Sequence, residues 1–258
     1  MIPSSNPDWS SLKPMPVSRV SSRHPIIVGH RGASGLAPEN TLAAFQVAAD
    51  LRVDGVEFDV QRTADGHLIV FHDDTVERTT NGTGAVGQFT LAEIQSLDAG
   101  SHFDPRFTGE RVPTLRETFD FLRQTNLLLF VELKDPWRYP GMEAETAALI
   151  RTYDLVDRVQ VRSFYHPSLH TLYEIAPEIA ISELWADHLP TDEEVTFKTI
   201  NAYYPLYTPE NLAHIHRRGQ QATAWTVNAI EVAQALIAAG IDGLTTDVPD
   251  RMLALVEG

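Results

Sequence analysis

The chain contains no cysteine among its 258 residues. No disulfide framework can staple it, and no thiolate is present to ligate a metal or attack a substrate; a reducing compartment is compatible with that composition. Long apolar runs are also missing, since stretches such as Leu127 to Val131 fall far short of the roughly 20 residues that cross a bilayer. No stable membrane insertion is expected. The first 24 residues are rich in Ser and Pro and hold no apolar core of the roughly 7–15 residues that a secretory signal requires. They read as a flexible extension, residues 1–24, ahead of one domain over residues 25–258, and a cytoplasmic protein is expected. Basic charge is scarce: 20 Lys and Arg face 35 Asp and Glu, for a formal net charge of −15. A nucleic-acid binder needs a basic stripe to displace counterions from phosphates, so no nucleic acid is expected as a partner. A small anionic substrate fits only where local cations or a bound metal reverse the field at one point. Tandem repeats and low-complexity tracts are absent outside the N-terminal tail. The oligomeric state is open, and a homo-oligomer is compatible with the sequence.

What the chain does have is a rhythm. From about residue 26, short β-branched or apolar runs alternate with helical stretches, the pattern of βα units and a parallel sheet. Strands are predicted at 26–30, 55–61, 67–72, 127–133, 158–163, 178–183, 199–204, 221–227 and 241–246. A TIM (β/α)8 barrel needs eight staves, so one of these nine segments is supernumerary, and the hairpin-like 55–72 pair is the natural place for it. Helix starts are marked by Asn40, by the capping boxes Thr90/Glu93 and Thr114/Glu117, by Thr208-Pro209 and by Asn228. Gly100, Gly219 and Gly240 suit helix stops. Leu115, Phe119 and Leu122 share one helical face, as do Val232, Leu236 and Ala239. Residues 74–113 are too long for an ordinary βα loop and read as a functional insertion between the third strand segment and the following helix.

Chemistry concentrates where apolar runs end. At 28–41, VGHRGASGLAPENT, a proton carrier (His30) and a fixed cation (Arg31) sit together where a strand turns into a loop. In GVEFDVQRTADGHLIVFHDD, residues 55–74, Asp65-Gly66 is a type I′ hairpin signal. With those two as the loop, Asp59 faces His72 and Glu57 faces Asp74, while Val56, Phe58, Val60, Ile69 and Phe71 share the apolar face. A half-solvated strand would explain the acids but not the arrival of His72 opposite them. Glu132 and Lys134 project to one side at the end of a buried strand, where Lys134 suits a phosphate oxygen. Polar residues recur at predicted strand C-termini (Ser163, Glu183, Asn228 and Asp247 among them), which is where barrels place active sites. Three carboxylates, Glu57, Asp59 and Glu132, predict one hard divalent cation, Mg²⁺ or Ca²⁺, and leave His30 and His72 free for proton transfer. Gly82-Thr-Gly84-Ala-Val-Gly87 fits G-x-G-x-x-G, but no strand precedes it, so it reads as a loop. His72-Asp73 imitates a pair used by helical metal phosphohydrolases, yet it lies on a predicted strand. His214 and His216 read as surface residues.

The sequence resembles the glycerophosphodiester phosphodiesterase family, of the cytoplasmic bacterial type. The resemblance rests on His30-Arg31-Gly32, Pro38-Glu39-Asn40-Thr41, Val56-Glu57-Phe58-Asp59-Val60, Asp65-Gly66 through Val70-Phe71-His72-Asp73, Arg78-Thr79-Thr80, Pro113-Thr114-Leu115, Val131-Glu132-Leu133-Lys134, Ser163-Phe164, Trp225-Thr226-Val227-Asn228 and Asp242 to Asp247. Stretches 137–157 and 184–215 match only in general character. The resemblance implies a TIM barrel with His30 and His72 as acid and base and Glu57, Asp59 and Glu132 as metal ligands. It implies that Arg31 and Lys134 face the phosphate and that Phe103 and Trp225 pack against the glycerol moiety. The implied reaction converts a small-molecule glycerophosphodiester, such as glycerophosphocholine or glycerophosphoethanolamine, to sn-glycerol 3-phosphate and an alcohol. The glycerol 2-hydroxyl is the implied first nucleophile, giving a cyclic phosphate that water opens. Two other readings stand beside it: a lysophospholipase D-type phosphodiesterase, for which Trp137 and Tyr139 are the hints of an apolar lip, and a non-catalytic glycerophosphodiester-binding module.

Overall fold

The computed structural model describes residues 24–257; the expected extension over 1–24 lies, but for its last residue, outside the described residues. The elements run β1 (Ile26–Gly29), α1 (Leu42–Asp50), β2 (Gly55–Arg62), β3 (Leu68–Val70), α2 (Leu91–Ile94), α3 (Leu115–Leu122), β4 (Leu128–Leu133), α4 (Met142–Thr152), β5 (Val159–Ser163), α5 (His166–Ile175), β6 (Ala180–Trp185), β7 (Thr199–Tyr203), α6 (Pro209–Arg217), β8 (Gln221–Trp225), α7 (Ile230–Ala238), β9 (Gly243–Thr246) and α8 (Pro249–Glu257). Strand order is β1-β9-β8-β7-β6-β5-β4-β2-β3, and a further parallel pairing of β1 with β2 closes the sheet into a cylinder. Eight parallel staves with helices outside them make the TIM barrel. The ninth strand is β3, which pairs antiparallel with β2 and lies outside the barrel. The link from β6 to β7 holds only turns.

Period-two alternation sorts the side chains of each stave. On β2, Val56, Phe58 and Val60 join the apolar layer beneath the helices, with Phe45, Phe119 and Leu122, while Glu57 and Asp59 fall on the other face and line the cavity at the barrel's centre. On β4, Leu129, Val131 and Leu133 face that same outer layer. Ile26, Val28, Leu128 and Phe130 form a separate cluster that closes the lumen below the polar residues. Burial of one apolar face on each stave therefore leaves the opposite face to build a site.

The hairpin differs from the expected register by one residue. Val60 pairs with Val70, Gln61 with Ile69 and Arg62 with Leu68, so the loop is the three residues Ala64-Asp65-Gly66. The Gly66 amide donates to the Thr63 carbonyl (3.0 Å) and Gly66 takes φ +90°, a type I turn followed by a left-handed glycine in place of the two-residue turn. One residue of slip reverses every face. Leu68 and Val70 now join Phe58 in the outer layer, while Ile69 and Phe71 pack with Val76, Val86, Ile94 and Val112 to give the insertion its own small core. Asp59 meets Phe71, whose amide donates to its carbonyl (2.9 Å). Asp74 points away from Glu57 and pairs with Arg138 (2.8 Å).

The capping boxes at Thr90/Glu93 and Thr114/Glu117 form as expected, and Thr208 caps α6 ahead of Pro209. Two assignments change. Thr41, not Asn40, caps α1, accepting from the Ala44 amide, and Ala229, not Asn228, precedes α7. Gly219 and Gly240 do end helices with φ of +71° and +93°. Gly100 instead permits a close approach, since a Cβ there would sit 1.9 Å from the Phe107 carbonyl oxygen.

Candidate active site

Glu57 and Asp59 project from β2 and Glu132 from β4, with Asp59 and Glu132 in direct register. One oxygen from each of the three lies within 4.8 Å of the others, and all three residues are buried. Burial pushes the Glu57 carboxyl up to about 7, with the Asp59 charge adding to the effect. Burial likewise raises Glu132, partly offset by Lys134. Asp59 goes the other way. Burial raises it, but Arg31, His72, Lys134 and the Asn40 hydrogen bond together hold it below the ordinary carboxylate value. Three buried acids in mutual repulsion, with an all-oxygen donor set and a spacing that two ligands bonded at about 2.3–2.6 Å to one ion would span, fit a hard divalent cation.

Each histidine is oriented by a carboxylate. His30 follows β1, and its Nδ1 lies 2.6 Å from Asp247 Oδ1 while its Nε2 lies 4.0 Å from Glu57 Oε2. Ser34 Oγ (2.9 Å) and Asn228 Nδ2 (2.6 Å) donate to Asp247. Burial disfavours the charged imidazole, yet the Asp247 hydrogen bond and the Glu57 charge outweigh it, so His30 titrates above its ordinary value. Asp247 is correspondingly held down to about 2, against the opposing effect of burial, by the His30 hydrogen bond and charge. His72 Nδ1 lies 2.6 Å from Asp73 Oδ1. Its position owes nothing to cross-strand pairing. The Gln61 side-chain amide donates to the carbonyls of Phe71 (3.2 Å), His72 (2.8 Å) and Asp73 (2.8 Å), curling the chain off β3 so that His72 turns into the cavity.

A continuous run of ion pairs joins this corner to the acids. Arg78 binds Asp73 (2.6 Å) and Glu39 (2.6 Å), Glu39 binds Arg31 (2.7 Å), and Arg31 Nε lies 3.4 Å from Asp59 Oδ2. Arg31 and Gly32 are both left-handed, φ +54° and +84°. That turn carries the Arg31 amide back to Glu57 Oε2 (3.1 Å). Lys134 Nζ lies 2.9 Å from Glu132 Oε1 and 3.9 Å from Asp59 Oδ1. Asn40 is a site residue: its Nδ2 donates to Asp59 Oδ2 (2.9 Å).

These groups line a cavity of about 500 Å³, measured to its open mouth, at the C-terminal end of the barrel. His30, Arg31, Glu57, Asp59, His72, Glu132, Lys134 and Trp225 all lie on its wall. Phe103 does not; it stands in the insertion with its ring 5.8 Å from Phe107. Beside the mouth runs a series of partly exposed rings, Trp137 against Tyr165 (5.2 Å), and Phe164 and Tyr203 against Trp225 (5.4 and 5.6 Å). Tyr139 packs against the outer core instead. Arg162, from β5, forms part of the floor. Sequence reasoning gave no role to Asn40, Asp247, Glu39, Arg78 or Arg162. The first four stand in motifs already noted, and the alternation Val159-Gln160-Val161-Arg162 carried the signal for the last.

Comparison with known proteins gives one pattern. The family model described as the glycerophosphoryl diester phosphodiesterase family matches residues 30–251. A glycerophosphodiester phosphodiesterase of Caldanaerobacter subterraneus subsp. tengcongensis is 40% identical over 236 residues, covering 90% of this chain and 97% of that protein. One from Bacillus subtilis is 34% identical, covering 90% of this chain and 87% of that protein. Among solved structures, an Oleispira antarctica phosphodiesterase in complex with the product sn-glycerol-3-phosphate superposes with a TM-score of 0.86 at 29% identity, covering 91% of this chain and 98% of that one. A glycerophosphodiester phosphodiesterase from Agrobacterium tumefaciens superposes with a TM-score of 0.78 at 33% identity, covering 89% and 99%.

Proposed function

The chain belongs to the glycerophosphoryl diester phosphodiesterase family and is a phosphoric diester hydrolase, and from that premise we propose that it cleaves small glycerophosphodiesters, such as glycerophosphocholine and glycerophosphoethanolamine, to sn-glycerol 3-phosphate and an alcohol. The observation that carries this reading is the pairing of two carboxylate-held imidazoles, His30 with Asp247 and His72 with Asp73 at 2.6 Å each, on the wall of one cavity with Glu57, Asp59 and Glu132.

In-line displacement at phosphorus needs a base beside the entering oxygen and an acid beside the departing one. With Nδ1 bound to a carboxylate, each imidazole presents Nε2 as its reactive atom, and the carboxylate stabilises the imidazolium that forms on proton uptake. One histidine takes the proton of the entering oxygen, the glycerol 2-hydroxyl in the first step and water in the second. The other protonates the departing oxygen. Glu57, Asp59 and Glu132 hold one divalent cation, Mg²⁺ or Ca²⁺, which when bound polarises a phosphoryl oxygen. Arg31 and Lys134 place positive charge beside the growing negative charge on phosphorus, and Asn40 keeps Asp59 turned inward. Trp225 presents an apolar face to the glycerol. A non-catalytic binding module would have no use for two imidazoles oriented in this way.

One observation favours a second substrate class. Trp137 is 54% exposed and Phe164 44% exposed, an apolar lip of the kind a lysophospholipid would use. A side-by-side assay on glycerophosphocholine and lysophosphatidylcholine, first with chelator and then with Mg²⁺ or Ca²⁺ restored, decides between them. Turnover of glycerophosphocholine alone, lost on chelation, is expected. Equal or faster cleavage of the lysolipid would replace the substrate reading, and activity that survives chelation would remove the cation.

A further inference from the structure

Arg162 is the largest side chain in the molecule to be almost completely buried, at 1% exposure. Its guanidinium lies flat on the Phe130 ring, 4.0 Å from the centroid, and Nε donates to Gln160 Oε1 (3.1 Å). Nη1 donates to Asn201 Oδ1 (2.9 Å), in the amide orientation that also lets Asn201 Nδ2 donate to Thr223 Oγ1 (2.9 Å). Stacking and two hydrogen bonds thus fix the plane of the group. Nη2 is left with no hydrogen-bond partner among the described residues.

Such a group is costly twice over, as a desolvated charge and as an unmade donor. The other two cations on the cavity wall are already engaged, Arg31 with Glu39 and Asp59 and Lys134 with Glu132 and Asp59. Among the described residues no carboxylate lies within ion-pair distance of Arg162. A barrel floor that needed only to be filled would take an apolar side chain there, since replacing a buried ion by an apolar group of similar volume is often neutral or stabilising. The pinned plane and the free donor suit a planar guanidinium that holds an oxyanion.

We propose that Arg162 is a substrate-binding residue in the floor of the site, whose free Nη2 donates to a non-bridging oxygen of the substrate's phosphate. This rests on the phosphodiesterase reading above and adds to it a third cation beneath the phosphorus. Because the contact is with charged oxygen, it strengthens as the diester monoanion goes over to a dianionic transition state and to the monoester product.

The test uses the full-length protein with Arg162→Met and Arg162→Gln, titrating sn-glycerol 3-phosphate by calorimetry at fixed Mg²⁺ and recording the melting temperature of each. Both variants should bind the product at least tenfold more weakly, with kcat/KM for glycerophosphocholine falling by a similar or larger factor, and neither should melt lower than the parent. Product affinity within twofold of the parent in either folded variant would overturn the assignment, and so would a lower melting temperature with binding unchanged, which marks a strut. If one variant fails to fold, the other carries the same test. A parent protein that binds sn-glycerol 3-phosphate but cleaves no glycerophosphodiester would overturn the reaction and leave the Arg162 contact standing.

Discussion

Asp247→Asn is the sharpest test of the proposed chemistry, because it changes two atoms' worth of hydrogen bonding and almost no volume. In the parent, Asp247 Oδ1 accepts from His30 Nδ1 (2.6 Å) and from Ser34 Oγ, while Oδ2 accepts from Asn228 Nδ2 (2.6 Å). An amide cannot accept on both sides. If its nitrogen faces Asn228, two donors collide; if it faces His30, Nδ1 must become an acceptor and the proton moves to Nε2, the atom that faces the cavity. A hydrogen bond to a charged group is worth about 1.5–3 kcal/mol. At about 1.4 kcal/mol per tenfold, kcat should fall roughly 10- to 150-fold, with KM for glycerophosphocholine little changed. The pH profile adds a sign. Asp247 and Glu57 raise the His30 pKa against the opposing effect of burial, so removing the Asp247 charge lowers it. Whichever limb of the kcat/KM profile belongs to His30 therefore moves to lower pH: the acidic limb if His30 is the base, the alkaline limb if it is the acid. Steady-state kinetics across about pH 5 to 9 reads both effects. Turnover within twofold of the parent and an unmoved profile would refute the dyad.

His72→Ala removes the second proton carrier and should lower kcat by about 10²–10⁴ in the same assay; near-normal turnover would reject His72. A diester without a neighbouring hydroxyl lacks the effective molarity of a nucleophile held within the substrate, so bis(p-nitrophenyl) phosphate should turn over far more slowly than glycerophosphocholine, and equal rates would rule out attack by the 2-hydroxyl. Phe119 is fully buried, with its ring 6.4 Å from Phe58 and 5.8 Å from Tyr153. Phe119→Ala should cost about 3–5 kcal/mol of stability by urea unfolding, and a loss under 1 kcal/mol would show that this layer can collapse around the gap.

Much of the fold could be read from the chain because parallel staves announce themselves twice, by apolar runs and by the capped helices between them. Thr114 with Glu117 and Thr208 with Pro209 fall where local chemistry alone would put them. The hairpin register was misread for a local reason. Asp65-Gly66 serves a two-residue or a three-residue loop equally well, and only the packing of Ile69 and Phe71 under the insertion selects the latter. Asn40 and Asn228 were taken for helix caps because a cap and a site residue ask the same thing of an asparagine, a short amide beside a turn. Which partner wins is decided by Asp59 and Asp247, residues distant in sequence. Arg162 was hidden among valines because charge in the middle of a stave conflicts with burial, and such conflicts tend to mark function rather than folding.

The two imidazoles ride on unequal supports. His30 rises from a stave, whereas His72 hangs from β3, a strand of three residues that the cylinder does not need for closure, backed by the insertion's separate apolar cluster. That flap can fray while the cylinder stays intact, since contiguous units open with their own free energies. Warming should therefore silence the enzyme before it melts: loss of turnover ought to begin several degrees below the main calorimetric transition, with amide exchange around residues 68–88 accelerating first. Coincident inactivation and melting would mean that flap and cylinder come apart as one.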